Sequence, residues 1–245
     1  VPFTHATPAA HVSHNKSRNN YFAIGTELLT VVKPEVVIGG GHPGSDCTND
    51  RNLPGYDGYI SCSDYSAFKA GNYSSEYVFV ERAAGLDGGL SLLQGAQQAV
   101  AGGKKLFGLF GMETAGNFES PEPNDLPGTP LVSLATRENP TFAEATQAAL
   151  KVLSQDPDGF FLMSEQGDID WANHDNDYRA MVGCVADLDE AVRAAMAFVD
   201  RPGDAVDWTN TVLLVTADHA TGGLLLDLGT TLGPGDLPRQ DARVE

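Results

Sequence analysis

The chain has 245 residues, enough for one large domain or two small ones, and carries 15 Lys and Arg against 33 Asp and Glu, a formal charge of −18. So few cations cannot cluster against phosphate or an anionic bilayer, which argues against nucleic-acid and membrane-surface partners. The 42% hydrophobic content suffices for a core, yet no apolar run approaches the ~20 residues of a membrane span.

In chain order, the start Val-Pro-Phe-Thr-His has neither an initiator Met nor a signal-peptide pattern, so the expectation is a piece cut from a longer protein. Thr7-Pro8 opens a helix expected to run to Arg18. Glu35 to Ile38 reads as a short buried strand stopped by Gly39-Gly40-Gly41. Residues 42–72 are rich in Gly, Asp, Asn and Ser and read as a long excursion with little regular structure. Tyr77–Val80 is a second strand, Leu90–Val100 a helix, and Leu106–Phe110 a third strand.

Residues 114–130 form another Pro- and Gly-rich loop. Thr141–Leu153 is helical, with Ala145, Ala148, Ala149 and Val152 on one face. Gly159–Met163 is expected as a fourth strand, Tyr178–Val199 as the longest helix, and Thr211–Thr216 as the last strand. Beyond Gly223 no closing element is evident. The alternation predicts one α/β domain over 1–245, a largely parallel sheet with helices on both faces, incomplete at both ends.

The three cysteines form no zinc-finger or CxxC pattern. Cys47 and Cys62 bracket the Gly- and Asn-rich loop and suit a disulfide in an oxidising compartment, while Cys184 reads as a small buried apolar residue. The acidity has two readings, a well-solvated surface or adaptation to high salt.

Chemistry concentrates after the last two expected strands. Glu165, Asp168, Asp170 and His174 follow one; Asp218 and His219 follow the other. In an open parallel sheet, ligands bind beyond the carboxyl ends of strands. Carboxylate plus imidazole is a zinc ligand set, and Asp170 and His174, four apart, share one side of a helical turn. Any one of these residues alone would more simply be a cap or a loop hydrogen bond.

Taken together, Glu165-Gln-Gly-Asp-Ile-Asp170-Trp-Ala-Asn-His174, Thr216-Ala-Asp218-His219, His5-Ala-Thr7-Pro-Ala and the glycines 39–41 resemble, in order, the motifs of the alkaline phosphatases. The resemblance runs from His5 to about Gly223 and departs at Gln166, where a Gly is usual. It implies two zinc ions, one held by Asp170 and His174 and the other by Asp218 and His219. It also implies a magnesium ion held by Thr7 and Glu165, and a phosphate gripped by Arg18. His5 and Trp171 stand at positions that tune metal binding and phosphate release. A phosphomonoester substrate, a phosphoserine intermediate, a homodimer and a periplasmic or secreted location follow from the same resemblance.

The family's nucleophilic serine and a further bridging aspartate lie upstream of the segment matched at His5. Its remaining zinc histidine lies downstream of His219, after which this sequence has no His. The expectation is therefore a central fragment, inactive alone and binding metal only weakly or in part, because each metal site lacks at least one ligand. The competing readings are another phosphatase or sulfatase superfamily member, or a non-catalytic acidic domain whose loops at Asp46–Asp50 and Glu119–Asp125 hold hard cations.

Overall fold

The computed structural model describes residues 1–44, 47, 58–111, 122–123, 132–134, 136–203 and 205–221. The acidic clusters at 46–50 and 119–125 lie almost wholly outside these residues, as does everything after Thr221.

Three strands, β1 (Val36–Gly39), β2 (Tyr77–Glu81) and β3 (Lys105–Leu109), form an all-parallel sheet in the order β1-β3-β2. Val37 pairs with Phe107, and Phe79 pairs with Phe107 from the other side. Successive side chains alternate between faces, as the strand period demands. Val37, Tyr77, Phe79, Phe107 and Leu109 face one core, with Phe3, Leu28, Leu29, Ile60 and Phe68. Val36, Ile38, Val78, Val80 and Leu106 face the other, with Leu92, Ala96, Ala99, Ala148 and Val152.

The second face is covered by α4 (Gly88–Gly102) and α5 (Phe142–Leu153), and α7 (Tyr178–Val199) packs on α5 from outside. Helix α4 comes close because of Gly95: a Cβ there would lie 2.3 Å from Val80 Cγ2. Helix α5 begins with a capping box, Thr141 and Glu144 each satisfying the other's backbone N–H. The first face is covered by α2 (Tyr21–Glu27), which continues as a π-helical turn over Leu28–Val32, and by α3 (Cys62–Lys69). Two further strands, β4 (Glu122–Pro123) and β5 (Val132–Ser133), form a small antiparallel pair.

The parallel sheet with helices on both faces matches the expected class, with four corrections. Helix α1 spans only Ala6–Val12, because Ser13 turns to extended backbone and donates its hydroxyl to Glu27, as the His14 N–H also does. The excursion at 42–72 contains α3, capped by the Ser61 hydroxyl, which accepts from the Asp64 N–H. The loop read at 114–130 contains β4. The strands expected at 159–163 and 211–216 form no ladder among the described residues; Val212 and Leu214 are each 82% exposed. Their β-type composition finds no neighbouring strand there to pair with.

No helix among the described residues is long and apolar enough to cross a membrane.

Candidate functional site

The site assembles from the inner edge of α1, the segment leading into α6 (Asp168–His174), and the segment before Thr221. Helix α6 places Asp170 and His174 one turn apart, with Oδ1 and Nε2 separated by 3.6 Å. Gly167 stands at its N-cap, where a Cβ would fall 1.8 Å from Val1 Cγ1, so the first residue of the chain and the start of α6 touch only because this position is glycine.

Asp218 and His219 form a second pair, Oδ2 to Nε2 at 3.5 Å, and the Asp218 carboxylate also accepts from the His219 N–H. Both side chains are more than half exposed. Their segment is tied to α6 by the Thr221 hydroxyl, which donates to Asp170 Oδ1 across 51 positions of sequence.

Glu165 lies close enough to both pairs to feel the charge of their carboxylates. Burial pushes its carboxyl pKa up, the charges of Asp218 and Asp170 push the same way, and the Val1 amine and a hydrogen bond with Thr7 oppose them. Its Oε2 is buried and has no hydrogen-bond partner. An orphan carboxylate oxygen beside two further carboxylates is unfavourable without a compensating cation, and Asp, Glu, His and Thr supply the oxygen and nitrogen donors that zinc and magnesium take. The residues present thus fit a metal group. Among the described residues, no three His, Cys, Asp or Glu side chains converge closely enough to hold an ion unaided.

The remaining predicted residues come from three places: His5 from the N-cap of α1, Trp171 from α6 and Arg18 from the turn before α2. The His5 ring meets the Trp171 ring edge-on, centroids 6.0 Å apart. Burial lowers the His5 pKa, and the Arg18 charge lowers it further, so Arg18 acts on this corner from its exposed turn. Away from the site, Cys47 and Cys62 are joined by a disulfide with Cα atoms 5.2 Å apart, and Cys184 is fully buried in α7.

Sequence reading assigns no role to three neighbours. Thr221 is visible there only as part of the Asp218–Gly223 stretch. Asp168, 2% exposed, has a buried Oδ1 with no partner, and burial raises its pKa. Asp187, on α7, is a buried carboxylate whose pKa burial raises to about 6. Its position in a helical apolar pattern carries no signal of this. A cavity of about 330 Å3 opens beside β1, between α1 and the segment 161–166, with Glu165, Asp168 and Asp187 in its wall.

The alkaline phosphatase family model matches residues 2–235. Alkaline phosphatase 3 of Bacillus subtilis is 32% identical over 225 residues, covering 90% of this chain; the chain spans 38% of that relative's length. Among solved structures, Thermus thermophilus alkaline phosphatase aligns with a TM-score of 0.56 and 28% identity over 82% of this chain and 35% of that one. A TAB5 alkaline phosphatase mutant, solved with Mg bound in the M3 site, aligns with a TM-score of 0.51 over 83% of this chain and 47% of that one. At 22% identity, that likeness speaks to the fold alone. The chain belongs to the alkaline phosphatase family.

Proposed function

We propose that this chain contributes the metal-binding side of a phosphomonoesterase centre using two zinc ions and one magnesium ion. Asp170 and His174 hold the first zinc, Asp218 and His219 the second, and Thr7 and Glu165 the magnesium. The observation that supports this most is the buried, partnerless Glu165 Oε2, set against the charges of Asp170 and Asp218.

When bound, such ions stabilise the attacking and leaving oxygens of an in-line phosphoryl transfer. The other tasks belong to the chain's own groups. Arg18 binds the substrate phosphate, for which a planar guanidinium offers two parallel N–H donors. His5 and Trp171 close the side of the site nearest Arg18. Thr221 holds Asp170 in one orientation, so the segment bearing Asp218 and His219 stays beside α6.

Covalent transfer through serine needs an activated hydroxyl, and none of the metal-side residues named above is a serine, so the 245 residues alone are expected to turn over no phosphomonoester. The Cys47–Cys62 disulfide supports a periplasmic or secreted location, since such bonds persist in oxidising compartments. A homodimer is the assembly that family resemblance implies.

The test is hydrolysis of p-nitrophenyl phosphate, bis-p-nitrophenyl phosphate and p-nitrophenyl sulfate by a protein that carries this chain at the length of its Bacillus subtilis relative, of which the chain spans 38%. Preference for the monoester, lost with chelator and restored by zinc plus magnesium, is the expected result. Preference for the diester or the sulfate would overturn the assignment, as would activity insensitive to chelator.

A further inference from the structure

Helix α6 has only seven residues, and its Gly167 N-cap supplies no side-chain cap. So short a helix has little stability of its own, and its orientation must come from outside. The structure supplies that from α7. Asp187 Oδ2 accepts from Gln166 Nε2 at 2.7 Å, and Gln166 Oε1 accepts from the Asp168 N–H, the first of α6, at 3.2 Å. The other Asp187 oxygen accepts from the Phe142 N–H at the start of α5, at 3.3 Å. One buried carboxylate on α7 thus fixes both the first turn of α5 and the backbone between Glu165 and Asp170.

A glycine at position 166 would have no side chain with which to bridge α7 to α6. We propose that Gln166 and Asp187 are positioning residues: together they fix the backbone that carries Glu165 and the α6 residues Asp170 and His174, the residues proposed to take metal. The proposal rests on the metal-centre reading above.

The relay depends on polarity and can be inverted. In Asp187→Asn one pair of donors must face each other whichever way the two amides turn: at the Gln166 N–H, at the Asp168 N–H or, with the relay kept, at the Phe142 N–H. In Gln166→Glu, two carboxylates face each other. In the double variant the new amide at position 187 donates to one oxygen of the new carboxylate at position 166. The other oxygen of that carboxylate still accepts from the Asp168 N–H, and the carbonyl of the new amide still accepts from the Phe142 N–H. Gln166→Ala removes the relay without adding a charge or a facing donor.

The experiment is zinc affinity by competition with a chromogenic chelator, on the 245-residue chain at a temperature where every variant retains the wild-type far-UV circular dichroism. Each single variant is expected to bind zinc about 10–100-fold more weakly, the usual loss when the partners behind metal ligands are removed. The double variant is expected to regain most of that loss. Recovery in the double variant would show that the two residues act through each other, and a merely structural role would leave zinc affinity unchanged at a temperature where every variant is folded. Hydrogen exchange at the Asp168 amide, followed without metal, should lose protection in the three single variants and regain it in the double.

Wild-type zinc affinity in Gln166→Ala, or a double variant weaker than either polar single, overturns the proposal even if Asp187→Asn fails to fold. A wild-type chain that binds no zinc while the Asp168 amide follows the expected pattern places the fault in the metal-centre reading instead.

Discussion

Glu81 closes the carboxyl end of β2 and receives three donors: His42 Nε2 at 3.3 Å, the Tyr65 hydroxyl at 2.7 Å and Lys69 Nζ. The two nitrogen-bearing partners come from the loop after β1 and from α3, so one carboxylate joins two strand ends to a helix. Burial works to raise its pKa, but the hydrogen bonds from His42, Lys69 and Tyr65 and the Lys69 charge outweigh it and lower the value from 4.5 to about 2. Its side chain is 18% exposed, so solvent screens the cluster little. At about 1.36 kcal/mol per pH unit, that difference corresponds to about 3 kcal/mol of stability in favour of the ionised, bonded state. The sign follows from the lowered value. The folded state binds the proton less readily than the unfolded chain, so the stability is present above the unfolded value of 4.5 and is lost as pH falls towards 2. Glu81→Gln should therefore be about 3 kcal/mol less stable than wild type at pH 7, measured by urea denaturation, with the gap closing to under about 1 kcal/mol near pH 2. A gap of the same size at both pH values would refute the reasoning, because the loss would then be one of packing rather than of an ionised hub.

Three further outcomes follow from other parts of the molecule. Gly95→Ala should destabilise by about 1–3 kcal/mol in thermal or urea unfolding despite alanine's better helix propensity, since the new Cβ would lie 2.3 Å from Val80 Cγ2; a neutral or stabilising result would mean α4 can move off the sheet. Alkylating the denatured, unreduced protein should modify one cysteine, Cys184, and mass spectrometry showing three modified thiols would contradict the Cys47–Cys62 pairing. With a formal charge of −18, the melting temperature should rise between 0.01 M and 1 M NaCl as the screening length falls from about 30 Å to about 3 Å, and a flat or falling curve would remove charge repulsion as a factor.

Much of the sheet was legible because its signals are local. Val36–Gly39, Tyr77–Glu81 and Lys105–Leu109 are short apolar runs punctuated by glycine or charge, and α5 and α7 repeat apolar residues at helical spacing. Helix α2 escapes a sequence reading because Gly25 interrupts it and the β-branched run Thr30-Val31-Val32 follows. Helix α3 is hidden by a loop-like composition, although Ser61 three residues before Asp64 is an N-cap signature that points to it. The segments 159–163 and 211–216 mislead for a different reason: strand composition is local, but a strand exists only where a second one pairs with it. The site divides the same way. Asp170 and His174 announce themselves by a spacing of four, whereas the Thr221–Asp170 and Gln166–Asp187 contacts join residues 51 and 21 positions apart and are set by tertiary packing alone.

The central claim is that these residues hold metal, and zinc bound per chain tests it most directly. Equilibrium dialysis followed by atomic absorption on the chain and its Asp170→Asn variant should give weak but measurable zinc binding for the wild type and a clear loss for the variant, both folded by circular dichroism. A wild-type chain that retains no zinc, or a variant that retains as much, would contradict the account.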